Sequence, residues 1–84
     1  MRRKQIGRYI VADPKICHGQ PTFAGTRILV KGVLELVADG MAWDRIVKEC
    51  HNSISREAIA EAVRLAGRAF LDHVDDYAQE SVPA

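Results

Sequence analysis

From residue 30 onward, apolar and polar residues alternate with a helical period. The apolar positions share one side of a first helix and recur at i, i+3, i+4, i+7 and i+8: Val30, Val33, Leu34, Val37 and Ala38. Charged residues fall on the opposite side, as in an amphipathic helix. Gly40 stands where a left-handed residue ends a helix. The pattern predicts a first helix that begins near Leu29 or Val30.

Two further helices follow in the pattern. Met41, Ile46 and Val47 mark a short second helix over about residues 43–50, in which the acidic Asp44 suits the helix dipole. Asn52 and Ser53 then interrupt the helical pattern.

Ser55 is a suitable N-cap for the third helix, and Ile54 is placed to pack on Ile59 as a hydrophobic staple. This helix is predicted from Arg56 to Phe70 or beyond. Its apolar side carries four alanines, which permit close approach of another helix: Ala58, Ile59, Ala62, Val63, Ala66, Ala69 and Phe70. That face suits the core of one chain or the seam of a dimer.

The chain before residue 30 carries short β signals. Residues 8–11 are rich in β-branched and aromatic side chains and are followed by Asp13-Pro14, which predicts a strand. Residues 15–19 are predicted as a second short strand, paired with the first or with another copy. Residues 1–8 are polar and basic and predict a flexible arm.

Residues 19–30 predict a constrained turn between the β-ribbon and the helices. Gly19 and Gly25 permit positive φ, Pro21 fixes its own φ, and Thr26 completes the turn beside Arg27. No lysine of a phosphate-binding loop follows, so a loop for a phosphate-bearing cofactor is not predicted. The turn instead presents Arg27.

The predicted fold is mainly α: a small trihelical core with a short N-terminal β-ribbon. The second and third helices have helix-turn-helix proportions. Eighty-four residues correspond to one domain, and no apolar run is long enough for a membrane span. The basic start lacks a following apolar segment, so no secretory signal is predicted and the expected compartment is the cytoplasm, with Cys17 and Cys50 reduced.

Charge divides unevenly along the chain. Residues 1–34 carry seven Lys or Arg against Asp13 alone, whereas residues 35–84 carry five basic and ten acidic residues. Opposite signs in the two halves suit either head-to-tail self-association or one basic contact surface, and a homodimer is expected. A general nucleic-acid binder would more often be basic throughout.

No catalytic or metal-binding pattern emerges. Cys17-His18 and Cys50-His51 provide thiols and imidazoles, but their spacing differs from that of zinc motifs. The histidines have no spacing that indicates a nucleophile and base, and so small a domain leaves little room for a cleft. The prediction is a protein that is not an enzyme and has no cofactor.

Several segments resemble the domain-of-unknown-function 433 family of small prokaryotic proteins. The matching segments are residues 16–21 (ICHGQP), 25–30 (GTRILV), Gly40-Met41 before an amphipathic helix, and 54–57 (ISRE) at the start of the last helix. The Gly-x-Pro-x-x-x-Gly-Thr-Arg-Ile spacing is the specific feature. The chain departs from the family pattern at three places. Leu29 stands where the family usually has proline, and His18 stands where it often has a second glycine. Asn52-Ser53 stand where it often has a proline before the last helix.

The resemblance implies a winged or homeodomain-like helix-turn-helix fold over residues 9–70. It also implies the antitoxin half of a toxin–antitoxin pair, with a PIN-like ribonuclease toxin as partner. The leading hypothesis is that the chain binds and inhibits this toxin and assists in repressing its own operon. The alternatives are a stand-alone DNA-binding transcriptional regulator and a structural homodimeric module. Residues 71–84 lie outside the matching segments and form an acidic extension. Leu71, Val74 and Ala78 are expected to prolong the third helix, and residues 81–84 are expected to fray.

The residue pattern and the family resemblance together indicate candidate contact residues. Arg27, Trp43 and Phe70 are candidates for binding the partner. Arg27 can instead tie the turn to its own carbonyls or to Asp13. The two aromatic side chains can instead belong to the core. The outer side of the third helix begins with carboxylates, which oppose DNA binding. Contacts to DNA phosphates are expected instead from basic side chains: Arg2, Arg3, Lys4, Arg8 and Arg56.

Overall fold

A computed structural model describes residues 2–78 of the chain. It contains three short strands, β1 (Lys4–Gln5), β2 (Ile10–Ala12) and β3 (Pro21–Phe23), followed by the helices α1 (Val30–Ala38), α2 (Trp43–Glu49), α3 (Arg56–Asp72) and α4 (Val74–Tyr77). About half of the described chain is helical. The mainly helical fold with a small N-terminal β element is thus confirmed. The fraying predicted for residues 81–84 and the acidic Glu80 lie outside the described residues.

The three strands form one antiparallel sheet in the order β1-β2-β3. In its register, Lys4 faces Ala12 and Gln5 faces Val11, while Ile10 faces Phe23 and Ala12 faces Pro21. Lys4 and Gln5, which lie in the segment predicted as a flexible arm, form an edge strand here. Pro21, which lacks an N–H group, begins the opposite edge strand, where proline is tolerated.

The strand predicted at residues 15–19 is wrong. Cys17, His18 and Gly19 have φ angles of 50°, 58° and 82°, which are left-handed and incompatible with a strand. They form a single 3₁₀ turn instead. Besides β1, the strand that pairs with β2 is β3, which lies inside the stretch predicted as a turn. That turn is therefore confined to the residues after Phe23.

The helix boundaries agree with the predicted ones. At the end of α1, Gly40 has a φ of 84°, and its N–H donates to Val37 O at 3.0 Å while Met41 N donates to Leu36 O at 3.1 Å. This is the Schellman arrangement that glycine favours. At the start of α3, the Ser55 hydroxyl accepts a hydrogen bond from Ala58 N at 3.1 Å, which confirms the predicted N-cap. The predicted continuation of the third helix is interrupted at His73, which separates α3 from the single turn of α4.

The core lies where α1, α2 and the first half of α3 meet the inner face of the sheet. Its buried apolar residues come from these elements and the connection from α2 to α3: Ile10, Phe23, Val30, Val33, Ile46, Ile54, Ala58, Ile59 and Ala62. Ile54 and Ile59 both belong to this cluster, in keeping with the predicted staple. From Val63 onward along α3, by contrast, the predicted apolar positions Val63 and Phe70 are 36% and 50% exposed. Within residues 2–78, no helix is long and apolar enough to cross a membrane.

Candidate functional site

The turn that follows β3 fixes the backbone on both sides of Arg27. Thr26 N donates to Phe23 O at 3.0 Å, which closes a β-turn whose third residue, Gly25, has a φ of 76°. The Thr26 hydroxyl donates to Phe23 O at 2.8 Å and accepts from Ile28 N at 3.0 Å. Phe23 N in turn donates to Ile28 O at 3.1 Å. These hydrogen bonds therefore hold the backbone on both sides of Arg27 rigidly in place.

The side chain of Arg27 is exposed to solvent. Its carbonyl accepts a weak hydrogen bond from Cys17 Sγ at 3.5 Å. Across the described part of the chain, no hydrogen bond or ion pair reaches its guanidinium, whether from Asp13 or from a backbone carbonyl. The interpretation of Arg27 as a staple of its own turn therefore has no bond to support it in this structure. The group that holds this turn together is the Thr26 hydroxyl, through its hydrogen bonds to Phe23 O and Ile28 N.

Arg27 lines an open cleft between this turn and the connection from α2 to α3. The cleft, which we call the Arg27 cleft, has a volume of about 590 Å³ and is also lined by Glu49, Cys50, His51 and Ser53. His51 has a φ of 53°, a left-handed conformation that turns the chain sharply after α2. Burial raises the pKa of the half-buried Cys50 thiol, and the neighbouring Glu49 carboxylate raises it further. The cleft thus carries one charge of each sign, from Arg27 and Glu49, and the guanidinium is the group that an anionic surface would attract.

Trp43 and Arg56 form a separate cluster at the start of α2 and α3. The Arg56 guanidinium lies over the Trp43 ring, 5.9 Å from its centroid, and pairs with the Asp44 carboxylate. Trp43 is half-buried and packs against the core. Arg56 is thus already engaged by two groups of its own chain, which reduces its availability for a phosphate.

Phe70 lies far from this cluster. It follows Arg56 by fourteen residues on the same helix, a separation of roughly 21 Å along the helix axis. Arg27, Trp43 and Phe70, predicted together as partner-binding residues, therefore do not converge on one site. Arg27 has its own cleft, Trp43 belongs to the Arg56 cluster, and Phe70 lies on the exposed half of α3.

The predicted phosphate-contact residues at the N-terminus are accessible. Arg2, Arg3, Lys4 and Arg8 are all exposed, and the Arg8 guanidinium lies 5.4 Å from the centroid of the Tyr9 ring. The ion pairs found within residues 2–78 involve none of these four side chains. They form a basic surface on β1 and the β1–β2 turn.

Glu61 has a role that sequence reasoning missed. Its carboxylate accepts hydrogen bonds from Arg8 N at 2.9 Å and from Tyr9 N at 2.8 Å, and thereby fastens the β1–β2 turn to α3. A side chain at Gly7 would meet this carboxylate, since a Cβ placed there lies 2.6 Å from Glu61 Oε1. The helical pattern of the sequence puts Glu61, with Glu57, on the solvated outer side of the third helix. No residue pattern near Glu61 signals that its partners are backbone groups more than fifty positions away.

The two Cys-His pairs are not joined in a metal-ligand cluster. Within the described chain, no group of three or more His, Cys, Asp or Glu side chains is placed to hold a metal ion. Cys17 and Cys50 are both free thiols.

Comparison with known proteins gives one match. The model of a family described as a protein of unknown function (DUF433) matches residues 10–66, which include β2, β3, the Arg27 turn, α1, α2 and most of α3. No curated protein and no solved structure matches the chain significantly. The basic residues of β1 and the end of α3 lie outside the matched range.

Proposed function

The chain belongs to the DUF433 family of proteins of unknown function, and we propose that it is an antitoxin that binds and inhibits a PIN-like ribonuclease toxin. It acts by binding rather than by catalysis and represses its own operon in complex with the toxin. The antitoxin role is what the resemblance of the Gly-Thr-Arg-Ile segment to this family implies. The observation that carries the proposal is the exposed guanidinium of Arg27, held on a rigid turn without a partner among residues 2–78.

The chemistry of such a toxin fits a cation presented in this way. PIN-like nucleases hold acidic side chains around a divalent metal, so their catalytic site attracts a positive group. A guanidinium offers a planar fork of donors that matches a carboxylate in two hydrogen bonds. Because Thr26 and Gly25 fix the backbone beside Arg27, little backbone entropy is lost on binding, and the entropic cost is that of ordering the arginine side chain.

Co-expression with a PIN-like protein encoded beside this gene tests the proposal. We expect the wild-type chain to rescue growth and to co-purify with the toxin, whereas Arg27→Ala rescues poorly. Arg64→Ala is the matched control, because Arg64 is exposed on α3 and does not line the Arg27 cleft. Absence of both a complex and rescue by the wild-type chain would refute the antitoxin proposal.

A stand-alone DNA-binding regulator is the second candidate, favoured by the exposed basic surface of Arg2, Arg3, Lys4 and Arg8. In a DNA-binding regulator of this kind, α2 and α3 would act as a helix-turn-helix, joined by residues 50–55. The N-terminal half of α3 is poorly suited to enter the major groove, since Glu57 is acidic, Glu61 holds the β1–β2 turn, and Arg56 is paired with Asp44. The basic surface would therefore bind the phosphates.

Salt-dependent binding to the promoter of its own operon distinguishes this second candidate. Replacing Arg2, Arg3 and Lys4 by alanine should lower the slope of log affinity against log salt by about one for each phosphate that is no longer neutralised. Substitution is preferable to deletion of the segment, because Lys4 belongs to β1. Salt-independent binding, or none by the isolated protein, argues against the regulator.

A further inference from the structure

A second cleft lies where the start of α2 and the first half of α3 meet the β1–β2 turn. Its volume is about 320 Å³, and its lining combines aromatic rings with charged side chains: Tyr9, Trp43, Arg56, Glu57, Ala60, Glu61 and Arg64. We call it the Trp43 cleft. It shares no lining residue with the Arg27 cleft, so a ligand in this cleft does not depend on the proposed antitoxin function.

Each aromatic ring of the Trp43 cleft has a guanidinium close to it. The Arg56 guanidinium lies 5.9 Å from the centroid of the Trp43 ring, and the Arg8 guanidinium lies 5.4 Å from the centroid of the Tyr9 ring. Both rings are half-buried, and Asp44 pairs with Arg56 beside Trp43. Bases of single-stranded nucleic acid stack both on aromatic rings and on guanidinium planes, so this combination of side chains suits such a ligand.

The charges around the Trp43 cleft favour a ligand that carries negative charge. Arg64 is exposed, and within residues 2–78 no ion pair reaches its guanidinium or that of Arg8. The Glu61 carboxylate accepts the N–H groups of Arg8 and Tyr9, which offset part of its charge. Among the described residues that line the cleft, Glu57 is then the carboxylate without a partner, and two arginines oppose it.

We propose that the Trp43 cleft binds single-stranded nucleic acid. One base stacks among Tyr9, Trp43 and Arg56, and the phosphates on either side of it bind Arg8 and Arg64. A base within a duplex is already stacked on both faces and cannot enter the cleft. The site therefore differs from the basic surface on β1 and the β1–β2 turn, which would bind the phosphates of a duplex without contact to base planes.

Trp43 itself reports whether the cleft is occupied. It is the only tryptophan of the chain, and a base that stacks against its ring quenches its fluorescence. We expect an oligonucleotide of about eight thymidines, within the site sizes of single-strand-binding folds, to quench the fluorescence of the full chain. The dissociation constant should be about 1–100 μM at physiological salt, as for sequence-independent binding. A GC-rich blunt duplex should leave the fluorescence unchanged.

Two variants test the contacts by anisotropy of a labelled oligothymidine. Tyr9→Leu keeps apolar bulk against the core but removes the ring, and should raise the dissociation constant at least roughly 5-fold. Arg64→Ala should lower the slope of log affinity against log salt by about 0.7, the value for one phosphate of a single strand. Arg68→Ala is the matched control, because Arg68 is exposed one turn further along α3 and does not line the cleft. Circular dichroism checks folding, and if Tyr9→Leu does not fold, the comparison of Arg64 with Arg68 decides.

Glu57→Gln distinguishes an anionic ligand from a cationic one. Removal of this exposed carboxylate should tighten the binding of oligothymidine, because it repels phosphates. A cationic ligand, for which tetralysine is the probe, would instead lose affinity. Tetralysine should not quench Trp43 in the wild type.

The proposal is overturned if oligothymidine does not quench Trp43 or if the duplex quenches it equally. It is also overturned if folded Tyr9→Leu binds as the wild type does, or if Arg64→Ala and Arg68→Ala have the same salt slope. Quenching by tetralysine that Glu57→Gln abolishes would overturn it as well, since the cleft would then bind a cation.

Discussion

Glu61 and Arg27 are both charged residues, but only Glu61 has its partners within the described chain. The Glu61 carboxylate accepts two backbone hydrogen bonds, from Arg8 and Tyr9, and so joins the sheet to α3. Arg27 has a fixed backbone and a guanidinium without a partner among residues 2–78. The sequence alone left both a structural role and a contact role open for Arg27, and it gave no signal of the structural role of Glu61.

Replacing Glu61 by alanine should lower the free energy of unfolding by about 1–2 kcal/mol, because two backbone N–H groups lose a charged acceptor that is only half-buried. Gly7→Ala should destabilise the wild type as well, since its Cβ displaces the carboxylate, but should cost much less in the Glu61→Ala background. Urea denaturation of the four proteins of this double-mutant cycle measures the coupling.

Glu57→Ala is the control for this cycle, because Glu57 is exposed in the first turn of α3 and should contribute no more than about 0.5 kcal/mol through the helix dipole. Additive effects of Gly7→Ala and Glu61→Ala would show that the carboxylate does not hold the β1–β2 turn.

The Cys50 thiol should ionise at a higher pH than a thiol in a peptide. Burial and the Glu49 carboxylate both raise its pKa, so the folded state holds the proton more tightly and this contribution to stability is lost as pH rises through the folded pKa. In a Cys17→Ser background, the pH midpoint for alkylation by iodoacetamide should lie above the roughly 8.5 of a free cysteine. Glu49→Gln should move the midpoint down, and a wild-type midpoint at or below that of the peptide would contradict the assignment.

At the scale of elements, the helices were predictable because local signals determine them. Gly40 and Ser55 provide an end and a start that depend only on neighbouring backbone groups, and both act as the sequence predicts. The strands were less predictable, because β3 exists only through its pairing with β2. The left-handed φ of Cys17 has no signal in its residue type, and histidine at position 18 favours such angles too weakly to predict one, which is why a strand was predicted where the chain turns.

Two glycines should respond in opposite directions to the same substitution. Gly25→Ala should lower the free energy of unfolding by about 1 kcal/mol or more, since Gly25 has a φ of 76°. Gly32→Ala should raise it by about 0.5–1 kcal/mol, because Gly32 lies inside α1 with open space at the Cβ position. Thermal and urea unfolding measure both, and a destabilised Gly32→Ala would contradict the helical assignment.

At the scale of the whole molecule, the candidate contact surfaces are separate from one another. The Arg27 cleft shares no lining residue with an apolar groove beside α3, which is lined by Ala62, Ala66 and Ala69 and, next to β1, by Ile6. The asymmetry of charge along the sequence indicated self-association, but the groove could not be predicted, because it depends on how far α3 extends beyond the core. The family and the residue Arg27 were recognisable from the sequence. That Arg27 has no partner within residues 2–78 became visible only in the three-dimensional structure.

The role of Arg27 is tested most directly by the affinity of the chain for a PIN-like toxin, measured by calorimetry for the wild type, Arg27→Ala and Arg64→Ala, with urea unfolding of each. If Arg27 is a contact residue, its removal should weaken binding about 30-fold or more, as at an interface hot spot. The free energy of unfolding should change by less than about 0.5 kcal/mol, as for an exposed side chain. Unchanged binding by Arg27→Ala, or loss of its fold, would contradict this role.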